Sequence, residues 1–192
     1  PEWAPLSSAL LMEAADAAKL PPGVLNMVHG EGRPTGATLI SNPQLARISF
    51  TGSVPTAKDV AAEAARNLVP CSLELGGKSP FIVLEDADLD LAARTGALMY
   101  RNATQVCLAG TRFLIHEKVR DEFTGRMAQY VASLKVGNPQ LPDTEVGPLI
   151  HPRQLENVEA FVQRAIQAGA DVLWGGARHQ AGDLYFQPTM LG

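Results

Sequence analysis

Cys107 is the residue of this sequence best suited to covalent chemistry. It lies in the polar segment 102–112, where Gly110 favours a turn. A thiolate is a strong nucleophile near neutral pH, and backbone N–H groups at a helix start stabilise it, so we expect a helix directly after Cys107. Position alone favours a structural role, because most single cysteines are small apolar residues packed in the protein interior. That role fits Cys71 better still, since it stands inside an apolar segment.

Glu74 is the candidate proton acceptor. It lies near the end of the apolar segment 71–75 and is followed by Gly76 and Gly77. We expect the end of such a strand to be buried, and burial disfavours the charged form of a carboxylate, which would prepare Glu74 to act as a base. From spacing alone, a solvated charge or a charge paired with Lys78 is favoured.

The segment Phe50–Ser53 could bind an anion. Its sequence Phe-Thr-Gly-Ser falls between a predicted strand and a predicted helix. Gly52 would let a ligand approach the backbone, and the helix N-terminus offers free N–H groups to the phosphates of a dinucleotide. Alone the signal is weak, because a Gly-Ser turn is usually only a helix cap. The usual dinucleotide fingerprint, G-x-G-x-x-G after a strand, is absent.

Alternating helices and strands must position these groups. In the first part, the periodicity predicts helices at 8–19, 35–40 and 56–67, and strands at 24–28, 46–50 and 71–75. The first helix would have one apolar face and end at Pro21-Pro22-Gly23. The segment Thr51–Ser53 is predicted to be a turn. This order of elements is typical of a parallel sheet, here with three strands.

Gly76-Gly77 is the candidate domain boundary. Beyond it, strands are predicted at 81–84, 113–115, 172–174 and 186–191. Helices are predicted from Asp86 or Asp88 towards Tyr100, at 118–134 and at 154–168, with a loop at 135–148. The sequence thus predicts an α/β fold in two parts, residues 1–76 and 77–192.

Composition narrows the function. The chain has 192 residues, of which 46% are hydrophobic and 19% charged, values typical of a globular protein. Its net charge of −4 argues against a nucleic-acid partner, and no apolar run is long enough to predict a membrane span. Two cysteines are too few for a disulfide framework, so we expect a reduced, cytoplasmic protein. The four histidines show no metal-ligand spacing, so no metal site is predicted.

Together, the three motifs resemble the NAD(P)-dependent aldehyde dehydrogenase superfamily. In order along the chain they are Phe-Thr-Gly-Ser at 50–53, Glu-Leu-Gly-Gly-Lys at 74–78, and Asn-x-x-Gln-x-Cys at 102–107. Further segments agree with the family pattern at 20–26, 86–90, 136–139, 147–150 and 187–189. The resemblance covers essentially the whole chain. It implies part of a Rossmann-type cofactor domain at 1–76, followed by part of an α/β catalytic domain at 77–192.

The resemblance also implies a reaction. Members of the family oxidise an aldehyde to a carboxylic acid. Cys107 would attack the aldehyde carbonyl to give a thiohemiacetal, whose oxyanion is stabilised by the Cys107 N–H and an asparagine from an earlier segment. Loss of hydride would leave a thioester, and Glu74 would activate the water that hydrolyses it.

The cofactor is NAD, with NADP possible, by the same resemblance. Glu2 would bind the adenosine ribose and therefore hints at NAD, because a carboxylate disfavours a 2′-phosphate. The remaining cofactor contacts are assigned to Gly32, Gly36, Phe50, Gly52, Ser53, Ala57, Leu75 and Gly76. The other partner would be a small-molecule aldehyde, with neither nucleic acid nor membrane. Full-length family members are homo-oligomers.

The sequence departs from the family pattern in three ways. Thr104 and Ala57 each stand where the family usually has glycine, and β-branched Thr104 would resist a positive φ close to the nucleophile. Family chains are more than twice as long, and the segment with the oxyanion asparagine is not in this sequence. We therefore expect no meaningful aldehyde oxidation by these 192 residues alone. The alternatives are an inactive aldehyde dehydrogenase fragment, or a dinucleotide-binding or structural module.

Overall fold

The computed structural model describes residues 2–192, which divide into a first unit ending at Gly76 and a second beginning at Gly77. The division falls at the glycine pair that the sequence singled out. The roles assigned to the two parts, dinucleotide binding and catalysis, stay predictions. Each unit is described by itself below.

The first unit is built on a parallel pair of strands, β1 (Ile48–Gly52) and β2 (Cys71–Leu75), with Ile48 opposite Cys71 and Gly52 opposite Leu75. Helix α3 (Val54–Arg66) connects them. Its buried residues, Ala57, Val60 and Ala64, recur at helical spacing, so one face of the helix is buried, and Val60 and Ala64 form a small core with Ile48.

The remaining elements of the first unit are helix α1 (Leu6–Ala17), a π-helical turn (Gly32–Gly36) and the short helix α2 (Ala37–Ile40). Helix α1 ends before the predicted Pro21-Pro22-Gly23 stop, and Lys19 has a φ of +57°. None of the residues of α1 is buried.

The strand predicted at 24–28 is wrong. This segment forms no strand, and its two valines, Val24 and Val28, are exposed. The apolar residues there pair with no neighbouring strand, so the sheet has two strands rather than three. The turn predicted at Thr51–Ser53 begins later than expected, because β1 continues through Gly52.

The second unit has its own parallel pair, β3 (Pro80–Val83) and β4 (Arg112–Ile115), in the register Pro80 to Arg112. Helices α4 (Leu89–Ala97) and α5 (Arg120–Ser133) pack on it, and Val83, Phe123 and Met127 are almost fully buried in their shared core. Asp88, rather than Asp86, caps α4, accepting hydrogen bonds from the N–H groups of Asp90 and Leu91.

The C-terminal part adds helix α6 (Pro152–Gln167) and an antiparallel pair, β5 (Val172–Trp174) and β6 (Met190–Leu191). Strand β6 is shorter than the predicted 186–191. A half-buried hydrogen-bond chain ties this pair to the rest of the unit, because the Trp174 indole N–H donates to the Tyr100 hydroxyl, which donates to the Thr189 carbonyl. The predicted loop at 135–148 is joined across its base by a bridge between Val136 and Val146.

One face of the β3–β4 sheet is uncovered among the described residues. Ile82 and Leu114 are paired neighbours in the register and both are exposed, whereas Phe81 and Phe113 face the helices. Parallel sheets are normally covered on both faces. No helix described between residues 2 and 192 is long and apolar enough to cross a membrane.

Candidate functional site

The candidate residues of the first unit gather at the carboxyl edge of the β1–β2 sheet. In the parallel register, Thr51 lies opposite Glu74 and Gly52 opposite Leu75. The Gly76 N–H donates a hydrogen bond of 3.3 Å to the Gly52 carbonyl, which extends the pairing past the strand ends. Ligands of parallel α/β sheets bind at this edge.

Gly52 and Ser53 join the sheet to helix α3 at the same edge. The Ser53 hydroxyl accepts a hydrogen bond from the Thr56 N–H, so Ser53 is the N-cap of the helix. A Cβ on Gly52 would collide with the Phe50 ring, so this close approach requires glycine. Ala57 is 2% exposed and packs inside the unit, so its side chain offers no surface to a ligand.

Glu2 and the glycines of the π-helical turn form a second group in this unit. The Glu2 carboxylate accepts a hydrogen bond of 2.7 Å from the Gly32 N–H, at the first residue of the turn. Gly36 ends the turn and has open space around it. Two residues that the resemblance assigns to cofactor binding are thus in direct contact.

Of the readings of Glu74, the structure agrees with the solvated charge that spacing favoured rather than with burial, because its side chain is exposed. Side chains alternate between the faces of a strand, and Leu73 and Leu75 occupy the half-buried face of β2. Glu74 points to the opposite, solvated face. The predicted burial of Cys71 is wrong, since it is the first residue of β2, at the rim of the sheet, and is exposed.

Cys107 lies on an exposed loop of the second unit, between a 3₁₀ segment (Leu98–Thr104) and strand β4. The helix predicted after Cys107 is wrong, because residues 107 and 108 form a turn that leads into the strand. In the described chain, neither the Cys107 N–H nor the Leu108 N–H donates a hydrogen bond. Two free donors therefore flank the thiol without a helix to supply them.

Gly77 lies against the carbonyl of this loop. A Cβ built on Gly77 would stand 3.3 Å from the Cys107 carbonyl oxygen, a tighter approach than a side chain normally accepts. Gly77 precedes β3 as Cys107 precedes β4, so both loops enter the sheet at its amino edge. Glycine at position 77 thus sets how closely the two loops approach.

Three consecutive residues before Cys107 have left-handed backbone conformations. The φ angles of Asn102, Ala103 and Thr104 are +54°, +51° and +61°. This region costs residues with a Cβ roughly 1–2 kcal/mol each, and β-branched residues are especially ill suited to it. The loop that carries the thiol is therefore strained, and Thr104 has the positive φ that it was expected to resist.

The loop is held by side chains to which the sequence analysis gave no role. Gln105 donates hydrogen bonds to the carbonyls of Asn102 and Pro148, and its own side-chain oxygen accepts one from the Ile150 N–H. Arg101 forms an ion pair with Glu145, and this guanidinium holds the pKa of Glu145 below its usual range. Gln105 stood in a quoted motif, but nothing in the sequence indicated its partners.

Metal chemistry has no visible basis in the described part of the chain. Between residues 2 and 192, no group of three or more His, Cys, Asp or Glu residues is placed to hold a metal ion. His116 caps the turn that precedes α5, because its Nδ1 accepts a hydrogen bond from the Lys118 N–H. His179 makes a similar local contact with the Ala181 N–H.

The parallel β–α architecture and the exposed thiol loop define an α/β protein with a candidate nucleophile. A family model described as the aldehyde dehydrogenase family matches residues 1–192. The chain therefore belongs to the aldehyde dehydrogenase family. The predicted fold class, part of an aldehyde dehydrogenase-like α/β fold, is confirmed.

Solved structures agree with this assignment. Succinate-semialdehyde dehydrogenase from Burkholderia pseudomallei matches with a TM-score of 0.94 and 39% identity, over 99% of this chain and 40% of that one. An NADP-dependent enzyme from Escherichia coli matches with a TM-score of 0.93 and 39% identity, over 97% and 39%. Betaine aldehyde dehydrogenase from Staphylococcus aureus, solved with NAD+, matches with a TM-score of 0.91 and 33% identity, over 97% and 38%.

The curated relatives are longer than this chain. A relative from Staphylococcus saprophyticus is 40% identical over 176 residues, which cover 91% of this chain and 37% of that protein. The chain thus spans 37% of the length of this relative. These comparisons show the family to which the chain belongs.

Proposed function

We propose that this chain carries the thiol nucleophile and the general base of an NAD(P)-dependent aldehyde dehydrogenase, which oxidises an aldehyde to a carboxylic acid. The observation that carries the proposal is the exposed Cys107 thiol with the free N–H groups of Cys107 and Leu108 beside it. Such donors can stabilise the oxyanion that forms when a thiolate attacks a carbonyl.

The reaction proceeds in two stages at Cys107. The thiolate bonds to the aldehyde carbon, and the carbonyl oxygen becomes an oxyanion that accepts hydrogen bonds from the loop N–H groups. Bound NAD(P)+ supplies the hydride acceptor, and loss of hydride from that carbon leaves a thioester on Cys107. Glu74 then takes a proton from water while the water oxygen bonds to the thioester carbon, which releases the carboxylic acid and restores the thiolate.

Residues of the first unit fit the cofactor that this chemistry needs. The N-terminus of α3 at Ser53 and the glycine at 52 suit the phosphates and the nicotinamide end, and the backbone of Leu75 suits the carboxamide. Glu2 and Gly32 suit the adenosine end. Because the Gly32 N–H occupies only one carboxylate oxygen of Glu2, the other is left for a ribose hydroxyl, which favours NAD over NADP.

A catalytically inactive role is the second candidate. The observation that favours it is the strained run from Asn102 to Thr104, which sets the path of the chain just before Cys107. In that case the chain would bind dinucleotide or act as a structural module. We expect the 192-residue polypeptide alone to show no NAD(P)H production with aldehydes, because the asparagine oxyanion donor implied by the family is not in this sequence. Rapid turnover in an absorbance assay would reject that expectation.

Thiol alkylation tests the nucleophile assignment directly. Cys107 should react with iodoacetamide faster than Cys71, although both thiols are exposed, because the N–H groups of two consecutive residues, Cys107 and Leu108, are free in its turn. Peptide mass spectrometry would follow both thiols in one sample, and the Cys71→Ser and Cys107→Ser variants would confirm the assignments. Equal rates, or a faster Cys71, would count against the proposal.

A glycine pair tests whether the loop position matters. Gly77→Ala should slow alkylation of Cys107, because the new Cβ would push on the Cys107 carbonyl. Gly76→Ala is the matched control, since a Cβ there meets nothing within 4 Å. If both variants slowed Cys107 equally, the close approach of Gly77 would not be the cause.

The other predicted partners follow from the proposal. The substrate is a small-molecule aldehyde, and the homo-oligomeric state of full-length family members is not transferred to this chain. The cytoplasmic location inferred from the two cysteines stays a prediction.

A further inference from the structure

We propose that Gln105 is a positioning residue that holds the Cys107 loop in its reactive conformation by fastening it to the segment Pro148–Ile150. The inference rests on the proposed role of Cys107 as the nucleophile and adds a residue on which that role depends. Gln105 is two positions before the thiol and touches neither substrate nor cofactor in the proposal.

The contacts of Gln105 join two loops. Its side-chain nitrogen donates to the Asn102 carbonyl at 3.1 Å and to the Pro148 carbonyl at 3.3 Å, and its side-chain oxygen accepts from the Ile150 N–H at 3.0 Å. One amide thus spans the start of the Cys107 loop and a loop more than forty residues further along. Only a neutral amide supplies two donors and an acceptor in this arrangement.

The backbone around Gln105 explains why the loop needs such a fastening. Asn102, Ala103 and Thr104 hold left-handed conformations that would relax if nothing restrained them. The Asn102 side chain donates back to the Gln105 carbonyl at 3.2 Å, and the Gln105 N–H donates to the Asn102 carbonyl at 3.0 Å. The side chain of Gln105 therefore restrains the residue that opens the strained run.

A second tie acts beside it and depends differently on salt. The ion pair between Arg101 and Glu145 joins the same two loops at 3.0 Å, and both side chains are partly exposed. Exposed ion pairs contribute little and are screened by salt. Fastening by Gln105 should therefore persist at high salt, whereas the contribution of Arg101 should fade.

Substitutions at position 105 separate the amide chemistry from side-chain size. Gln105→Glu keeps the acceptor for the Ile150 N–H but sets a negative charge against two carbonyl oxygens, and Gln105→Asn keeps the amide on a stem that is one methylene shorter. Gln163→Glu makes the same change in charge on the exposed face of α6 and is the matched control. In each protein, the iodoacetamide rate of Cys107 is divided by that of Cys71, so Cys71 serves as an internal reference.

We expect Gln105→Glu to lower this ratio about tenfold at pH 8. Gln105→Asn should lower the ratio by a smaller factor, and Gln163→Glu should leave it unchanged. At each pH, the rate ratio of Gln105→Glu is compared with that of the unsubstituted chain. This difference should shrink as the pH falls towards 4, because the protonated carboxyl of Glu can again donate a hydrogen bond to a carbonyl. The unfolding midpoint in urea should stay close to that of the unsubstituted chain. A purely structural role would move this midpoint but would give no rescue at low pH.

Unchanged ratios in Gln105→Glu and Gln105→Asn would overturn the inference, as would a loss with no rescue at low pH. If Gln105→Glu does not fold, the ratio in Gln105→Asn decides by itself, with a value equal to that of the unsubstituted chain refuting the role. If Cys107 reacts no faster than Cys71 in the unsubstituted chain, the proposed function itself is rejected. The two failures are therefore distinguishable in one set of measurements.

Discussion

Thr104→Gly is expected to stabilise the second unit although it removes a side chain. Thr104 has a φ of +61°, where a residue with a Cβ costs roughly 1–2 kcal/mol. Glycine adopts this region without that cost, but the greater freedom of its unfolded chain offsets about 0.5–1 kcal/mol. The Thr104 side chain donates no hydrogen bond in the described structure. The net expectation is a gain of about 0.5–1 kcal/mol.

Thr111→Gly is the matched control. Thr111 lies in the same loop, is half-buried like Thr104, and does not have a positive φ. Here glycine relieves no strain and only loosens the unfolded chain, so a loss of about 0.5–1 kcal/mol is expected. The two variants should therefore differ in unfolding free energy by about 1–2 kcal/mol, with opposite signs.

Urea unfolding followed by tryptophan fluorescence measures this difference. Trp174 belongs to the second unit and Trp3 to the first, so a Trp3→Phe background restricts the signal to the second unit. With a typical dependence of about 1–3 kcal/mol per molar urea, Thr104→Gly should raise the midpoint by about 0.2–1 M. A midpoint lowered as much as in Thr111→Gly would refute the strain argument.

Two further substitutions test the packing that supports the loop. Tyr100→Phe should lower the unfolding free energy by about 1–3 kcal/mol, because it leaves the Trp174 indole N–H unpaired. Tyr130→Phe is the control and should show a smaller loss in thermal melts, because its partner, the Asp90 carboxylate, is solvated. Burial raises the pKa of Tyr100 from 10.0 to about 12, so as the pH rises the unfolded chain loses this proton before the folded chain does. The free energy of unfolding should therefore fall between pH 10 and pH 12. If Tyr100→Phe showed a fall of equal size over this pH range, the explanation would be contradicted. Asp88→Ala should cost about 1 kcal/mol in urea unfolding because Asp88 caps α4, whereas Asp86→Ala should change little.

Local signals in the sequence were sufficient for several elements. The strand at Cys71–Leu75 was predicted with its bounds, because the apolar run lies between Pro70 and a glycine pair. The helix predicted at 118–134 corresponds to α5, whose buried residues Phe123, Met127 and Val131 recur at helical spacing. The segment at 24–28 has a similar apolar composition, but a strand also needs a partner, and pairing depends on residues that are distant in sequence. That strand was therefore predicted wrongly.

The candidate site divides in the same way. Residue identity and order were enough to propose Cys107 and Glu74, but burial depends on tertiary contacts, so the exposure of Cys71 was not predicted. The left-handed backbone at Ala103 and Thr104 runs against the intrinsic preference of both residues, so no local rule predicts it. The hydrogen bonds of Gln105 reach a loop far along the chain and could be found only in the structure.

The exposure of both cysteines, one in each unit, gives the chain two natural attachment points for spectroscopic probes. If their rates differ as proposed, one dye can be attached at Cys107 and a second at Cys71 without any engineered residue. Energy transfer between the dyes would then report the separation of the two units as dinucleotide is titrated. One exposed thiol in each unit thus allows a distance between the units to be followed in the natural sequence.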